Sequence, residues 1–191
     1  FFSEISFEVG VGSQDRSYVA WGTGFFDGDN DGDLDLFIAN GHTYPEADMP
    51  RANSSYKQRN SLFENKQDHF FSVGNKAGPG LQIKEVSRGA AFGDYDNDGD
   101  VDIFVVNLNA PPTLLRNEHK GNNSVSFRLI GVKSNRDGVG ARITSFSQGL
   151  KQEFEVQSGS SYLSHNDFRI HNGLGKGKKH RFCRSTLAKW N

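Results

Sequence analysis

Short stretches of alternating apolar and polar residues, rich in aromatic and β-branched side chains, follow one another along most of the chain. Such alternation is typical of strands that bury one face, and helical periodicity is weak throughout. We therefore predict an all-β protein, with Trp21 and Phe25 in the core. The predicted strands are 18–26, 34–39, 60–64, 69–73, 86–93, 101–107, 112–117, 125–132, 140–147, 150–157 and 166–171.

The first part of the chain is built from an internal repeat. Residues 22–40 align without gaps on residues 89–107, with 11 of 19 positions identical. The segment Ser61–Asn65 returns as Thr113–Asn117, so the repeat extends beyond the first two strands of each unit. Several short strands in a unit of this size are typical of a β-propeller blade. We predict a partial propeller of about two blades, with residues 41–59 as a long surface loop.

The pattern changes after residue 117. A polar linker is predicted at 118–123, and the following strands read as a small antiparallel, β-sandwich-like domain. The predicted organisation is a propeller segment over 1–117, the linker, a C-terminal domain over 124–179, and an aberrant tail over 180–191.

Composition excludes several classes of protein. The chain has 191 residues and a net charge of −1, which excludes a generally basic nucleic-acid-binding protein. No apolar run exceeds the four residues of Ile103–Val106, which is too short for a membrane-spanning helix. The single cysteine, Cys183, permits no intrachain disulfide. The chain begins at Phe1 with no visible targeting segment, and we interpret it as a fragment.

Two nine-residue windows, 27–35 and 94–102, contain the candidate metal ligands. Carboxylates at positions one, three and five converge if the backbone curls tightly, which a glycine at position six permits. Position seven can add its backbone carbonyl, and position nine closes the shell. Oxygen donors in this number favour Ca²⁺ over Mg²⁺, and neither window has the Cys or His that zinc prefers. We predict two Ca²⁺ sites, formed by Asp27, Asp29, Asp31, Asp33 and Asp35, and by Asp94, Asp96, Asp98, Asp100 and Asp102.

Two other interpretations of the windows compete with this one. A solvated acidic turn leaves five like charges within nine residues, where unit charges about 4 Å apart repel by roughly 1 kcal/mol in water. An EF-hand requires glutamate at position 12, where this chain has Ile38 and Val105. The windows also lie between predicted strands rather than helices, so the EF-hand is dismissed.

The two windows resemble the calcium motif of FG-GAP or VCBS repeats, the units of integrin-type β-propellers. The C-terminal part resembles the ASPIC/UnbV domain of cartilage acidic protein and of many bacterial secreted proteins. That second resemblance rests on Gly131–Arg142, Ser158–Arg169 and Gly173–Gly175. Together the resemblances imply a calcium-binding, extracellular or periplasmic protein, associated with adhesion and without a defined enzymatic activity.

We therefore expect a non-catalytic interaction module whose partner is an extracellular protein or a glycan, with no nucleic acid and no insertion into a membrane. The alternative is a fragment of a calcium-dependent, polysaccharide-active enzyme, since some lyases are also built on calcium-binding propellers. A Lys, Tyr or His base beside paired carboxylates in a cleft would favour the enzyme.

The tail His180–Asn191 departs from the alternating strand that ASPIC/UnbV domains have after their Gly-Leu-Gly segment. A single-base shift in the DNA near Lys178 and Lys179 would restore such a strand, so we predict that the tail is frame-shifted. On that hypothesis the tail packs poorly or lies outside the sheet, and Cys183, Arg184 and Trp190 have no functional role.

Overall fold

The computed structural model describes residues 1–12, 16–50, 53–133, 135–147, 150–177 and 180–186; for residues 147, 150 and 180–186 only the backbone is described. The described chain is β-rich, with two 3₁₀ helices at Pro45–Asp48 and Pro79–Gln82. The strands are β1 (Ala20–Phe26), β2 (Asp35–Asn40), β3 (Gln58–Arg59), β4 (Ser61–Lys66), β5 (His69–Ser72), β6 (Lys84–Glu85), β7 (Ser87–Gly93), β8 (Asp102–Asn107), β9 (Thr113–Leu115), β10 (Asn123–Phe127), β11 (Arg142–Ser147), β12 (Leu150–Glu155), β13 (Ile170–Gly175) and β14 (His180–Thr186).

The two repeat units form two antiparallel sheets. The first has the order β1-β2-β4-β5 and the second the order β7-β8-β9, while β3 and β6 pair in a separate ribbon. Equivalent residues pair equivalently, since Phe25 is opposite Leu36 in the first sheet and Phe92 is opposite Ile103 in the second. Neither sheet closes on itself. This arrangement confirms the all-β prediction and places the two acidic windows at the same end of their sheets.

A shared core joins the two sheets. The Phe92 ring lies 5.2 Å from the Phe26 ring and 6.1 Å from the Phe37 ring, measured between centroids. Burial of apolar surface in this cluster is the main force that holds one sheet against the other. Its buried members are Phe26, Phe37, Ala39, Leu81, Ala90, Phe92, Val101, Ile103 and Val105.

The prediction that Phe25 lies in the core is wrong. Its repeat counterpart Phe92 packs between the two sheets, whereas Phe25 lies on the side of β1 away from the second sheet and is 59 % exposed. Phe26, the next residue, faces the second sheet instead, because neighbouring strand residues point to opposite faces. Trp21 is half-buried and stacks on Tyr162 of the C-terminal domain, with ring centroids 5.0 Å apart.

The C-terminal domain consists of two small antiparallel sheets, β10-β13 and β12-β11-β14. Its core is a second apolar cluster that includes Ile143, Val156 and Ile170, with Phe127 and Phe168 packed against it. Two small sheets around one apolar cluster match the β-sandwich-like arrangement predicted from the sequence.

The tail was predicted to pack poorly or to lie outside the sheet, and the second alternative is wrong for residues 180–186, which form β14. This strand pairs antiparallel with β11, from Arg142 opposite Thr186 to Ser147 opposite His180. An edge strand needs backbone N–H and C=O groups on one side only, so it forms without the alternating side chains that an inner strand requires. Residues 187–191 are outside the described residues, and the frame shift itself stays a prediction.

The predicted surface loop at 41–59 contains more structure than expected. It includes the 3₁₀ helix Pro45–Asp48 and the short strand β3, which pairs with β6. Gln58 is buried, and its side-chain oxygen accepts a hydrogen bond from the Val19 backbone N–H at 2.8 Å. No helix among the described residues has the length and apolar character needed to cross a membrane.

Candidate metal centre

The two acidic windows form equivalent loops, one between β1 and β2 and one between β7 and β8. Gly32 and Gly99, at position six, have φ values of 103° and 98°. Asn30 and Asn97, at position four, each have a φ of 60°. The left-handed region favours glycine and tolerates asparagine, so both loops make the tight curl that converging carboxylates require.

The first loop brings three carboxylates together. Oxygen atoms of Asp27, Asp29 and Asp31 lie within 4.8 Å of one another. Asp27 is 5 % exposed, and its Oδ2 accepts a hydrogen bond from the Gly32 N–H at 3.0 Å. Its Oδ1 is buried and has no hydrogen-bond partner within the described chain. A buried carboxylate oxygen without a partner is costly, so this donor set fits a hard cation.

The charges in the first loop are poorly compensated. Burial raises the pKa of Asp27 to about 7, and the negative charge of Asp31 adds to the shift. Burial and Asp31 likewise raise the pKa of Asp33 to about 7, and burial raises the pKa of Asp35 to about 6. A bound divalent cation would oppose these shifts because it stabilises the ionised carboxylates.

The second loop groups a different set of carboxylates. Oxygen atoms of Asp94, Asp96 and Asp102 lie within 4.8 Å of one another. Both oxygens of Asp94 accept backbone hydrogen bonds, from the N–H groups of Asp98 at 3.1 Å and Gly99 at 3.2 Å. Within the described part of the chain, Asp96 Oδ1 is buried without a hydrogen-bond partner. The repeated sequence therefore produces two clusters that are similar but not identical.

An arginine that the sequence interpretation missed contacts the second loop. Arg116 Nε lies 3.1 Å from Asp96 Oδ2, and its Nη2 lies 3.9 Å from Asp98 Oδ2. Asp98, at position five, lies outside the cluster of the second loop, whereas its counterpart Asp31 belongs to the cluster of the first loop. The sequence contained one signal, since Arg116 lies within the recurring segment Thr113–Asn117.

The aspartates at position nine fasten each loop to its sheet. Asp35 accepts backbone hydrogen bonds from Gly28 at 3.0 Å and from Asn65 at 2.8 Å. Asp102 repeats the arrangement, accepting from Tyr95 at 3.1 Å and from Asn117 at 2.8 Å. These carboxylates hold the start of the loop against the third strand of the first sheet, and against the segment just after the third strand of the second, in addition to any contact with a cation.

The aspartates at position seven lie beside the clusters. The Asp33 backbone N–H donates to Asp31 Oδ1 at 2.9 Å. Asp100 Oδ1 accepts a hydrogen bond of 2.6 Å from the Asn30 side chain, so this carboxylate links the two loops. Of the ten predicted site residues, the structure groups three in each loop, and places the others next to them.

The C-terminal domain rests on both loops. His171 Nε2 lies 2.6 Å from Asn30 Oδ1, and the Arg169 guanidinium donates to Asn97 Oδ1 at 2.7 Å and to the Asp94 carbonyl oxygen. Backbone oxygens of the loops accept further hydrogen bonds from this domain and from the linker. These donors and acceptors are Gln152 to Gly32, Ser124 to Gly99, Gly175 to Asn30, and Asn122 to Asp29.

A cleft of about 490 Å³ lies between the loops and the C-terminal domain. Its walls combine apolar rings, such as Phe25 and Phe168, with the charged side chains of Glu153 and Arg169. Arg169 is already paired with Asp167. The polar groups at the base of this cleft therefore connect the two parts of the protein.

Two family models match the chain, one in each of its two parts. Residues 27–105 match the model of the FG-GAP-like repeat, and residues 131–182 match that of ASPIC and UnbV. The first match contains both acidic loops, and the second reaches into β14. Both family resemblances are confirmed, while the resemblance to cartilage acidic protein stays a prediction. No curated protein matches the chain.

Proposed function

We propose that this chain, which carries an FG-GAP-like repeat followed by an ASPIC and UnbV domain, is a calcium-stabilised, extracytoplasmic interaction module. The observation that carries the proposal is the buried Oδ1 of Asp27, which has no hydrogen-bond partner among the described residues and lies within a group of three carboxylates. A hard cation is the partner that this oxygen and its neighbours would bind best.

The residues of the first loop would hold the ion through Asp27, Asp29 and Asp31. Calcium supplies charge compensation and cross-links the loop. The chain's own contribution is the curl at Gly32 and the fastening of Asp35 to the Asn65 backbone. Because both acidic loops also carry the C-terminal domain, an ordered loop would keep that domain in place.

An extracellular or periplasmic location is favoured by two arguments. Calcium sites of extracellular modules are weak, with Kd values on the order of 10⁻⁴ to 10⁻³ M, and cytosolic calcium would leave such sites empty. FG-GAP repeats are also typical of extracellular and periplasmic proteins, a property that comes with the family match. We expect the partner to be an extracellular protein or a glycan.

A binding role is preferred to catalysis because His171 and Arg169, two polar side chains of the cleft, each contact an acidic loop. The His171 ring contacts Asn30, and Arg169 holds Asp167 and the second loop. Burial lowers the pKa of His171, which favours its neutral form. The lyase alternative would need a base that is free to approach a sugar. The contacts of His171 and Arg169 instead support a role in holding the C-terminal domain on the loops.

Titration calorimetry with CaCl₂ on a chelator-treated sample tests the proposal. The wild-type chain should bind Ca²⁺, and Asp31→Asn should weaken the first site because it removes one ligand charge while keeping a side-chain oxygen for the Asp33 N–H. Asp137→Asn is the matched control, since Asp137 is an exposed aspartate outside both loops. Absence of a calcium-dependent heat in the folded wild-type chain would contradict the proposal.

A further inference from the structure

The two repeats carry opposite charges at equivalent positions, within the third strand of the first sheet and directly after the third strand of the second. The recurring segments Ser61–Asn65 and Thr113–Asn117 place Glu64 at the position that Arg116 occupies in the second unit. In both sheets the next residue, an asparagine, donates its backbone N–H to the position-nine aspartate at 2.8 Å. The two side chains are therefore held at the same place relative to their loops.

The charges are also reversed at the residue two positions further along each unit, which pairs with the first. Glu64 pairs with Lys66 at 2.9 Å in the first unit, and Arg116 lies 3.7 Å from Glu118 in the second. The position that carries the base Arg116 in the second unit thus carries an acid in the first, where the positive charge belongs to its partner Lys66.

Arg116 acts on the second loop by direct contact. Its guanidinium lies against Asp96 and Asp98, two of the carboxylates that a cation would need. Asp98 lies outside the group formed by Asp94, Asp96 and Asp102. The first loop has no arginine among its described ion pairs, and there the position-five aspartate belongs to the group.

We infer that Arg116 serves as a resident cation of the second loop, so that the two repeats are unequal calcium sites and the first loop fills at lower calcium. The inference rests on the proposed function. Calcium at the second loop must displace Arg116 from its carboxylates or bind beside its positive charge. The free-energy cost of either event is comparable to that of an exposed ion pair or of a screened charge repulsion. We therefore expect the Kd values of the two loops for calcium to differ about tenfold.

The arginine also gives the second loop a different dependence on calcium. With the guanidinium in place, part of the carboxylate charge is compensated in the absence of any metal. The second loop should therefore stay ordered when calcium is removed, whereas the first loop depends on the ion. The chain would then contain one calcium-responsive loop and one that is held by its own side chain.

Calorimetric titration with CaCl₂ on the full chain tests the inference through Arg116→Gln and Glu64→Gln. Wild type should show two sites that differ about tenfold in Kd. Arg116→Gln should tighten the weaker site about tenfold and leave the stronger one unchanged, and Glu64→Gln should weaken the stronger site. Arg142→Gln, which removes an exposed arginine paired with Glu155 in the C-terminal domain, is the matched control and should change neither Kd.

Terbium luminescence assigns the weaker site to a loop. Tyr95 occupies position two of the second loop, where the first loop has Gly28, so emission excited through Tyr95 and lost in Tyr95→Phe reports the second loop. This signal should saturate at lower Tb³⁺ concentration in Arg116→Gln than in wild type. Equal Kd values for the two wild-type loops, or an unchanged weaker site in Arg116→Gln, would overturn the inference while leaving the proposed function intact. Absence of Ca²⁺ binding at both loops would overturn the proposed function as well.

Discussion

The side-chain amide of Asn30 donates a hydrogen bond of 2.6 Å to Oδ1 of Asp100, and so ties the first acidic loop directly to the second. The Asn30 side-chain oxygen is also engaged, because His171 of the C-terminal domain donates to it at 2.6 Å. Burial raises the pKa of Asp100, and the bond from Asn30 offsets part of that shift. One buried asparagine thus connects both loops and the domain above them.

Asn30→Gly should lower the free energy of unfolding by about 1–3 kcal/mol, because it leaves Asp100 and His171 without their shared partner. Glycine accepts the φ of 60° at this position, so the change isolates the side chain from backbone strain. Urea denaturation followed by circular dichroism measures the effect.

The control is Asn97→Gly, which changes the equivalent position of the second loop at the same φ. Asn97 is exposed and accepts one hydrogen bond, from Arg169, so its loss should cost less than about 1 kcal/mol. Equal destabilisation by the two variants would contradict the linking role of Asn30.

Gly173→Ala should destabilise the chain by about 1–3 kcal/mol through overpacking. Gly173 lies on β13 so close to the first loop that a Cβ atom would overlap Asp27 Oδ2 and lie 2.7 Å from the Asn30 carbonyl carbon. The two parts of the protein would have to separate slightly at this point. Thermal unfolding monitored by circular dichroism provides the measurement.

Gly74→Ala is the matched control for Gly173, since a Cβ at Gly74 meets its nearest neighbours only at 3.9 Å. This variant should stay within about 0.5 kcal/mol of wild type. A Gly173→Ala protein as stable as Gly74→Ala would show that the C-terminal domain does not rest on the loop in the way described.

Phe92→Ala should cost about 3–5 kcal/mol, since its ring fills the core that joins the two sheets against Phe26 and Phe37. Phe104→Ala changes a phenylalanine on the neighbouring strand that is 44 % exposed, and it should cost far less. The denaturation midpoints of the two variants measure the difference in stability, provided that their m-values are unchanged. Similar midpoints would contradict the assignment of Phe92 to the core between the sheets.

The sequence predicted the local features well. The spacing of the aspartates and the glycine at position six is a local property, and the loops curl as that spacing requires. Alternation also placed the strands of both sheets. The side of the sheet on which Phe25 lies was not predictable in this way, because it depends on which neighbouring sheet is present to cover it.

The contacts between distant segments were also missing from the prediction. Arg116 reaches Asp96 only because β9 lies beside β8 in a particular register, and a single sequence does not give that register. The same holds for Asn30 and His171, which are far apart in the chain and meet where the C-terminal domain rests on the loops. Edge strand β14 was missed because backbone pairing tolerates a sequence without alternation.

The most direct test of the central claim compares the free energy of unfolding in saturating CaCl₂ with that in chelator. At free calcium a hundredfold above Kd, each site should stabilise the folded chain by about 2.7 kcal/mol, because calcium binds the folded loops. The double variant Asp31→Ala plus Asp98→Ala should lose this difference. Identical unfolding free energies for the wild-type chain with calcium and with chelator would contradict the account.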